Sequence, residues 1–189
     1  AVFFWRFPIL KSAQTLDSML SREAAFLVNN LLLLSIAFVT LWGSVYPLIS
    51  RLIGEDEITI ARPFYDQVNG PLFLALLLLM GIGPLLPWRR ATGASLKRAL
   101  LAPGTVALVT SATLFILGVH KPYALIGFTL GAFVTTGIFI EWGRGTLSRH
   151  RSTGDIYPIA FLRLLGANRP RYGGYIVHLA VVMVALGVV

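Results

Sequence analysis

The hydrophobic residues of this chain fall in long blocks separated by short polar segments, and they do not alternate with polar residues. A helix that crosses a bilayer needs about 20 consecutive, mainly apolar residues, within a range of about 17 to 25. Five blocks meet this requirement, at about residues 24–49, 70–88, 99–119, 123–140 and 173–189. The pattern therefore predicts an all-α integral membrane protein, with residues 1–189 forming a single membrane-helix domain.

The segments between the blocks predict smaller features. Residues 50–69 form a short external loop, in which the alternation at 58–62 favours a short strand that Pro63 ends. The apolar stretch Ile156–Leu165 contains Arg163 and is too short to span, so we expect an amphipathic segment along the cytoplasmic interface. Glycines and prolines at 81–87 predict a kinked or unwound helix end, which a membrane tolerates where it lines a cavity or is buried.

Composition supports a membrane protein and gives it an orientation. The chain is 56% apolar and only 13% charged, whereas soluble domains are about 25% charged. Its net charge of +8 could suggest nucleic acid, but basic residues also collect in cytoplasmic loops, and this explanation is sufficient. Thirteen of the 16 basic residues lie in 6–23, 89–98 and 141–172, which are therefore predicted to be cytoplasmic. Cysteine is absent, which excludes disulfides and thiol nucleophiles.

The two ends of the sequence suggest a piece of a longer protein. The first residue is Ala1, and residues 1–5 are similar to the tail of a preceding membrane helix. The fifth block is barely long enough to span, and no charged residue follows it.

One histidine, His178, lies inside a predicted span, whereas His120 is placed at the outer interface and His150 in a basic inner loop. An unpaired polar group in hydrocarbon costs several kcal/mol, so an intramembrane histidine needs a partner. Four roles remain possible for His178: a hydrogen bond to another helix, proton relay, metal ligation and haem ligation. Metal sites need several ligands close together, and the blocks hold no others, whereas a haem takes one axial ligand per side.

The neighbours of His178 are compatible with a haem. Gly173 and Gly174 would let a planar macrocycle or another helix approach closely. Arginines at the same face could pair with haem propionates or simply anchor the cytoplasmic side; they are Arg171, Arg169, Arg89 and Arg90. Asn29 and Asn30, near the start of the first span, are expected to hydrogen-bond to neighbouring helices.

Several motifs together resemble a known family. They are Ser21–Ala24 with Asn29–Leu33, Leu41–Gly43 with Pro47, Pro63–Tyr65, Met80–Arg89, and Arg171–Gly174 with His178. In this order they resemble the C-terminal half of the CcmF-type haem lyases of cytochrome c biogenesis, over nearly the whole chain.

The resemblance implies a function and a cofactor. CcmF-type proteins of the bacterial inner membrane transfer haem from a CcmE-type haem chaperone to apocytochrome c, and they work with CcmH-type partners. A late membrane helix of the family carries one of two transmembrane histidines that ligate a resident haem b. This haem helps to keep the incoming haem reduced, with electrons from quinol. His178 matches that position, so the resemblance implies that it binds the haem iron.

Other features of the family are absent from this sequence. The tryptophan-rich external segment, its two flanking histidines and the other transmembrane histidine are missing, so the N-terminal half of the same protein would have to supply them. The chain alone would then lack the haem-transfer site and hold no catalytic residue, which leaves open whether it is an enzyme. A transporter-like bundle and a non-catalytic membrane anchor subunit remain as alternatives.

Overall fold

The computed structural model describes residues 21–54, 60–86 and 93–188. They form helices α1 (Arg22–Ile53), α2 (Arg62–Ile82), α3 (Gly93–Ile116), α4 (Pro122–Thr153), α5 (Tyr157–Ala167) and α6 (Gly174–Val188). A 3₁₀ turn, Gly83–Leu85, follows α2, and a π-helical turn, Arg169–Gly173, precedes α6. Within the described ranges no strand is present, and five helices are long and apolar enough to cross a membrane. The prediction of an all-α membrane protein is confirmed.

The start of α2 corrects one local prediction. Residues 60 and 61 are not in a strand, residues 58 and 59 lie outside the described ranges, and Arg62–Pro63 begins a helix. Proline at the first turn of a helix is favourable, because its fixed φ suits the helix and its missing N–H would be unpaired there anyway. The residue pair that was expected to end a strand therefore starts α2, eight residues before the apolar block.

The region 141–172, expected to be a loop, is mostly helical. Helix α4 continues past the apolar block to Thr153 and ends at Gly154, whose φ of 73° suits glycine. The stretch predicted to be amphipathic folds as α5, and the π-helical turn leads into α6. Hydropathy marks where a helix leaves hydrocarbon, but the helix itself ends only where a capping residue stops it.

Helix α4 is the centre of the bundle, since it packs against α2, α3, α5 and α6. Its buried residues Phe133, Val134 and Ile138 form the core together with residues from the surrounding helices. Glycines allow close contacts: a Cβ added at Gly81 of α2 would lie 2.7 Å from the Phe133 ring. In contrast, most of the apolar surface of α1 is exposed, as expected for a helix that faces lipid or another protein segment.

We expect a polar contact between α1 and α2 to contribute measurably to stability. The Asn69 side chain is buried and donates from Nδ2 to Thr40 Oγ1 over 3.2 Å. Interhelical hydrogen bonds in membranes contribute about 0.6 kcal/mol on average. A double-mutant cycle of Asn69→Leu and Thr40→Val, measured by unfolding in bicelles, should give a coupling energy of about that size. A coupling energy of zero would contradict the contact.

Candidate functional site

A partly open cleft lies between the start of α1, the end of α2 and the start of α6, with a volume of about 320 Å³. This volume is within the range of small-molecule sites, about 300–1,000 Å³. The 3₁₀ turn after α2 contributes Gly83 and Pro84, so the predicted irregular backbone does line a cavity. The other polar and apolar lining residues include Arg22, Ala25, Phe26, Asn29, Leu79, Met80, Arg171, Gly174, Tyr175 and His178.

The imidazole of His178 lies on the wall of this cleft and is half-buried. Gly174, one helical turn earlier, lines the same cleft, and its backbone carbonyl is directed along α6 towards the imidazole. The Tyr175 ring meets the imidazole edge-on, with the centroids 6.4 Å apart. When one ring nitrogen donates to a carbonyl, the other remains available as an acceptor or as a ligand to a metal. His178 can therefore present a ligand nitrogen to a bound group.

Arg22 also lines the cleft, which the sequence did not predict. Its guanidinium donates from Nη2 to the carbonyl oxygen of Pro84 over 2.8 Å, and so connects the start of α1 to the end of α2. Ser21 caps the same end of α1, because its Oγ accepts from the Ala24 N–H at 3.1 Å. In the sequence, Arg22 is visible only as an arginine directly after a capping serine. Nothing in the sequence indicated that Arg22 would line a cleft together with residues of α6.

Asn29 also lies on the cleft wall, one to two turns into α1. Asn29 and Asn30 were expected to hydrogen-bond to neighbouring helices, whereas the structure places Asn29 beside the same cavity as His178. Asn30 is exposed on another side of α1. Adjacent residues on a helix point about 100° apart, so only one of the two amides can face the cleft.

The arginines proposed for propionate binding occupy different positions. Arg171 lines the cleft, but its Nη2 is 2.7 Å from Glu141 Oε2, and its guanidinium is 5.4 Å from the centre of the Tyr172 ring. Arg169 is exposed and is not among the residues that line the cavity. Arg89 and Arg90 lie outside the described residues. Of the two arginines within the described ranges, Arg171 lines the cleft and Arg169 does not, and Arg171 already has an acidic partner.

The two other histidines lie elsewhere. His150 Nδ1 is 2.7 Å from the Asp155 carbonyl oxygen, and its ring stacks on Tyr157 with centroids 4.3 Å apart. His120 lies between α3 and α4, with its ring edge-on to Phe115. Within the described ranges, no three His, Cys, Asp or Glu residues are grouped as a metal site would require. An imidazole on a cleft wall is thus a feature of His178 alone among the three.

The junction between α4 and α5 gives a pH prediction. A hydrogen bond from the Thr153 side chain and the charges of Arg163 and Arg149 lower the pKa of Asp155 below its usual 3.8. A lowered pKa means that this stabilisation is complete above the unfolded-state pKa and disappears as the pH falls through the folded-state value. In thermal unfolding, Asp155→Asn should be less stable than the parent at pH 7 and should converge with it in strong acid. A difference that stays the same from pH 7 into strong acid would contradict the assignment.

Known proteins with similar sequences are named as cytochrome c-type biogenesis proteins. No protein-family model matches the chain. It is 34% identical to the cytochrome c-type biogenesis protein Ccl1 of Rhodobacter capsulatus over 134 residues, which cover 70% of this chain and 20% of that protein. It is 31% identical to the cytochrome c-type biogenesis protein CycK of Bradyrhizobium diazoefficiens, over 90% of this chain and 25% of the relative.

A solved structure has the same arrangement of helices. The cytochrome c haem lyase CcmF matches 90% of this chain and 25% of its own, with a TM-score of 0.64 and 32% sequence identity. The chain therefore matches CcmF-type proteins both in sequence and in the arrangement of its helices. It corresponds to a C-terminal part of CcmF-type proteins, as its motifs indicated, and it spans about a quarter of the length of the relatives it matches.

The cleft is lined by residues of the two sequence blocks that most resemble CcmF-type proteins. The two blocks that carry most of the resemblance, Met80–Arg89 and Arg171–His178, are far apart in sequence, yet their described residues form opposite walls of one cleft. The sequence motifs of the family therefore coincide here with a cavity.

Proposed function

We propose that this chain is the C-terminal membrane part of a haem lyase in the bacterial inner membrane. The complete protein would transfer haem from a CcmE-type chaperone to apocytochrome c, together with a CcmH-type partner. The observation that carries the proposal is the position of His178: the family-matched histidine lies on the wall of a cleft, not in a helix–helix contact. The similarity to CcmF-type and CycK-type relatives supports the role in cytochrome c maturation.

The residues around the cleft fit haem b as a resident cofactor. His178 offers an imidazole nitrogen, Phe26, Leu79 and Met80 provide apolar walls, and Arg22 provides a cation for carboxylates. A Cβ added at Gly174 would meet no other atom, which leaves that side of α6 open for close approach. Bound haem b would supply one-electron chemistry. The second axial ligand would come from the N-terminal half of the same protein.

The proposed orientation separates resident haem from transferred haem. Residues 6–23, 89–98 and 141–172 would face the cytoplasm, with α5 at that interface and its exposed Ile159 and Leu162 towards lipid. His178 lies in the first two turns of α6, near this side. Cytochrome c maturation takes place on the opposite face, so His178 would serve electron supply and would not touch the haem that is transferred.

The proposed function can be tested by cytochrome c maturation. The intact protein and its His178→Ala variant are expressed in a strain that lacks CcmF activity, and haem-stained c-type cytochrome is measured. We expect a large loss of cytochrome in the variant, whereas His120→Ala, which alters an imidazole outside the cleft, should retain normal yield. Normal maturation with His178→Ala would favour the non-catalytic anchor. Substrate uptake by vesicles, without any effect on cytochrome c, would favour the transporter.

A further inference from the structure

Glu141 lies at the end of the apolar part of α4, and we propose that it is a positioning residue for His178. It would act through Arg171 and Tyr175, which together connect its carboxylate to the imidazole. The functional meaning of this role rests on the proposed function, in which His178 is a haem ligand. The contacts themselves are independent of it.

The first contact is an ion pair with one shielded partner. Glu141 Oε2 is 2.7 Å from Arg171 Nη2; the Glu141 side chain is 14% exposed, whereas the Arg171 side chain is 47% exposed. Water and salt screen such a pair less than they screen a fully exposed one. The other carboxylate oxygen lies 3.6 Å from Arg144 Nη1, whose side chain is 64% exposed. The shorter and less exposed contact is therefore the one that joins α4 to the start of α6.

Tyr175 carries the connection from Arg171 to His178. The Arg171 guanidinium lies 5.4 Å from the centre of the Tyr172 ring, which meets the Tyr175 ring edge-on with centroids 6.0 Å apart. The Tyr175 ring in turn meets the imidazole edge-on with centroids 6.4 Å apart. Tyr175 is 5% exposed and also packs edge-on against Trp142, which follows Glu141 on α4. Arg171, Tyr175 and His178 all line the cleft, so they lie on one side of this part of the chain. A shift of Arg171 would thus be transmitted along this side to the imidazole.

The start of α6 is intrinsically weak, so contacts with α4 are needed to hold it in place. The π-helical turn Arg169–Gly173 is a rare conformation, and Gly173 and Gly174 each cost a helix about 0.5–1 kcal/mol relative to alanine. The adjacent Tyr172 packs so closely on α4 that a Cβ at Gly145 would lie 2.8 Å from its hydroxyl oxygen. Arg171 and Tyr172 together dock this weak turn onto α4. An arginine committed to Glu141 is better explained as a clamp than as a propionate ligand.

Glu141→Gln in the intact protein tests the proposal. The variant keeps the shape of the side chain but removes the charge. Substitutions of residues that orient a metal ligand typically cost 10- to 100-fold in affinity, so haem occupancy should fall roughly tenfold. The midpoint potential of the remaining haem should also shift, which a merely structural role would not cause.

Arg144→Gln is the matched control, because it removes the exposed partner of Glu141 but leaves the path through Arg171 intact. The charge reversal Glu141→Arg with Arg171→Glu should restore part of the occupancy.

A second measurement does not depend on haem. The chain has no cysteine, so single spin labels can be placed on α6 once other cysteines of the protein are removed. Oxygen accessibility in the parent should be high at Val177 and Val181 and low at Val182, which is 3% exposed. In Glu141→Gln, accessibility at Val182 should rise as α6 turns or loosens.

The outcomes separate the two proposals. Loss of occupancy together with altered labelling supports the positioning role. Unchanged potential, occupancy and labelling overturn it, even if the haem depends on His178. If the intact protein binds no haem that depends on His178, the proposed function fails, and the labelling alone then decides whether Glu141 sets the orientation of α6.

Discussion

Replacement of His178 by alanine is expected to remove most of the b-type haem from the purified intact protein. The substitution deletes the ligand nitrogen that α6 presents to the cleft and leaves a cavity that water or lipid would fill. Loss of an outer-shell partner alone often costs 10- to 100-fold in affinity, and loss of the ligand itself should exceed roughly tenfold. The haem-to-protein ratio and the reduced-minus-oxidised absorption spectrum measure the effect.

Two histidine variants of the same chain provide controls for this prediction. His150 bonds to the Asp155 carbonyl at the α4–α5 junction, and His120 contacts Phe115. Their alanine variants should retain the parental spectrum, although His150→Ala could lower stability. An unchanged b-type band in His178→Ala would show that this imidazole is not an axial ligand.

The helices of the fold could be predicted from the sequence because hydrocarbon imposes a single solution. Each span must satisfy its own backbone hydrogen bonds and present apolar side chains, and both requirements are visible in a window of about 20 residues. The ends of the helices were harder to predict from the sequence. Helix α4 continues to Thr153 in spite of Gly143 and Gly145, because α5 packs against this part of it, and it ends where Gly154 caps it. Hydropathy carries no information about that cap.

The cleft was only partly predictable. Local chemistry singled out His178 and the irregular end of α2, since both are costly in a membrane unless they line a cavity. The pairing of Arg171 with Glu141, 30 residues away, depends on how α4 packs against α6. The same applies to Arg22 and Asn29, which reach the cleft only because α1 packs beside the end of α2. No periodicity within one helix encodes these contacts.

The position that links packing to the site is Gly81, where α2 crosses α4 immediately before the cleft. A Cβ there would lie 2.7 Å from the Phe133 ring and 3.0 Å from Val134 Cγ2. Both neighbours are buried, Val134 with 1% exposure, so neither can move aside easily. Met80 and Pro84, on either side of Gly81, belong to the cleft wall. A larger residue would therefore push α2 from α4 and displace that wall.

We expect Gly81→Val to lower the free energy of unfolding by about 2–3 kcal/mol, the upper range for overpacked interiors, and to reduce haem occupancy as well. Gly81→Ala should be milder, because the gain in helix propensity, up to about 1 kcal/mol, offsets part of the strain. Gly104→Val on α3 is the matched control, since a Cβ at Gly104 would meet no atom within 4 Å. It makes the same change in helix propensity without the clash. Unfolding in bicelles measures all three variants, and equal stability of Gly81→Val and Gly104→Val would show that the α2–α4 contact does not constrain the cleft.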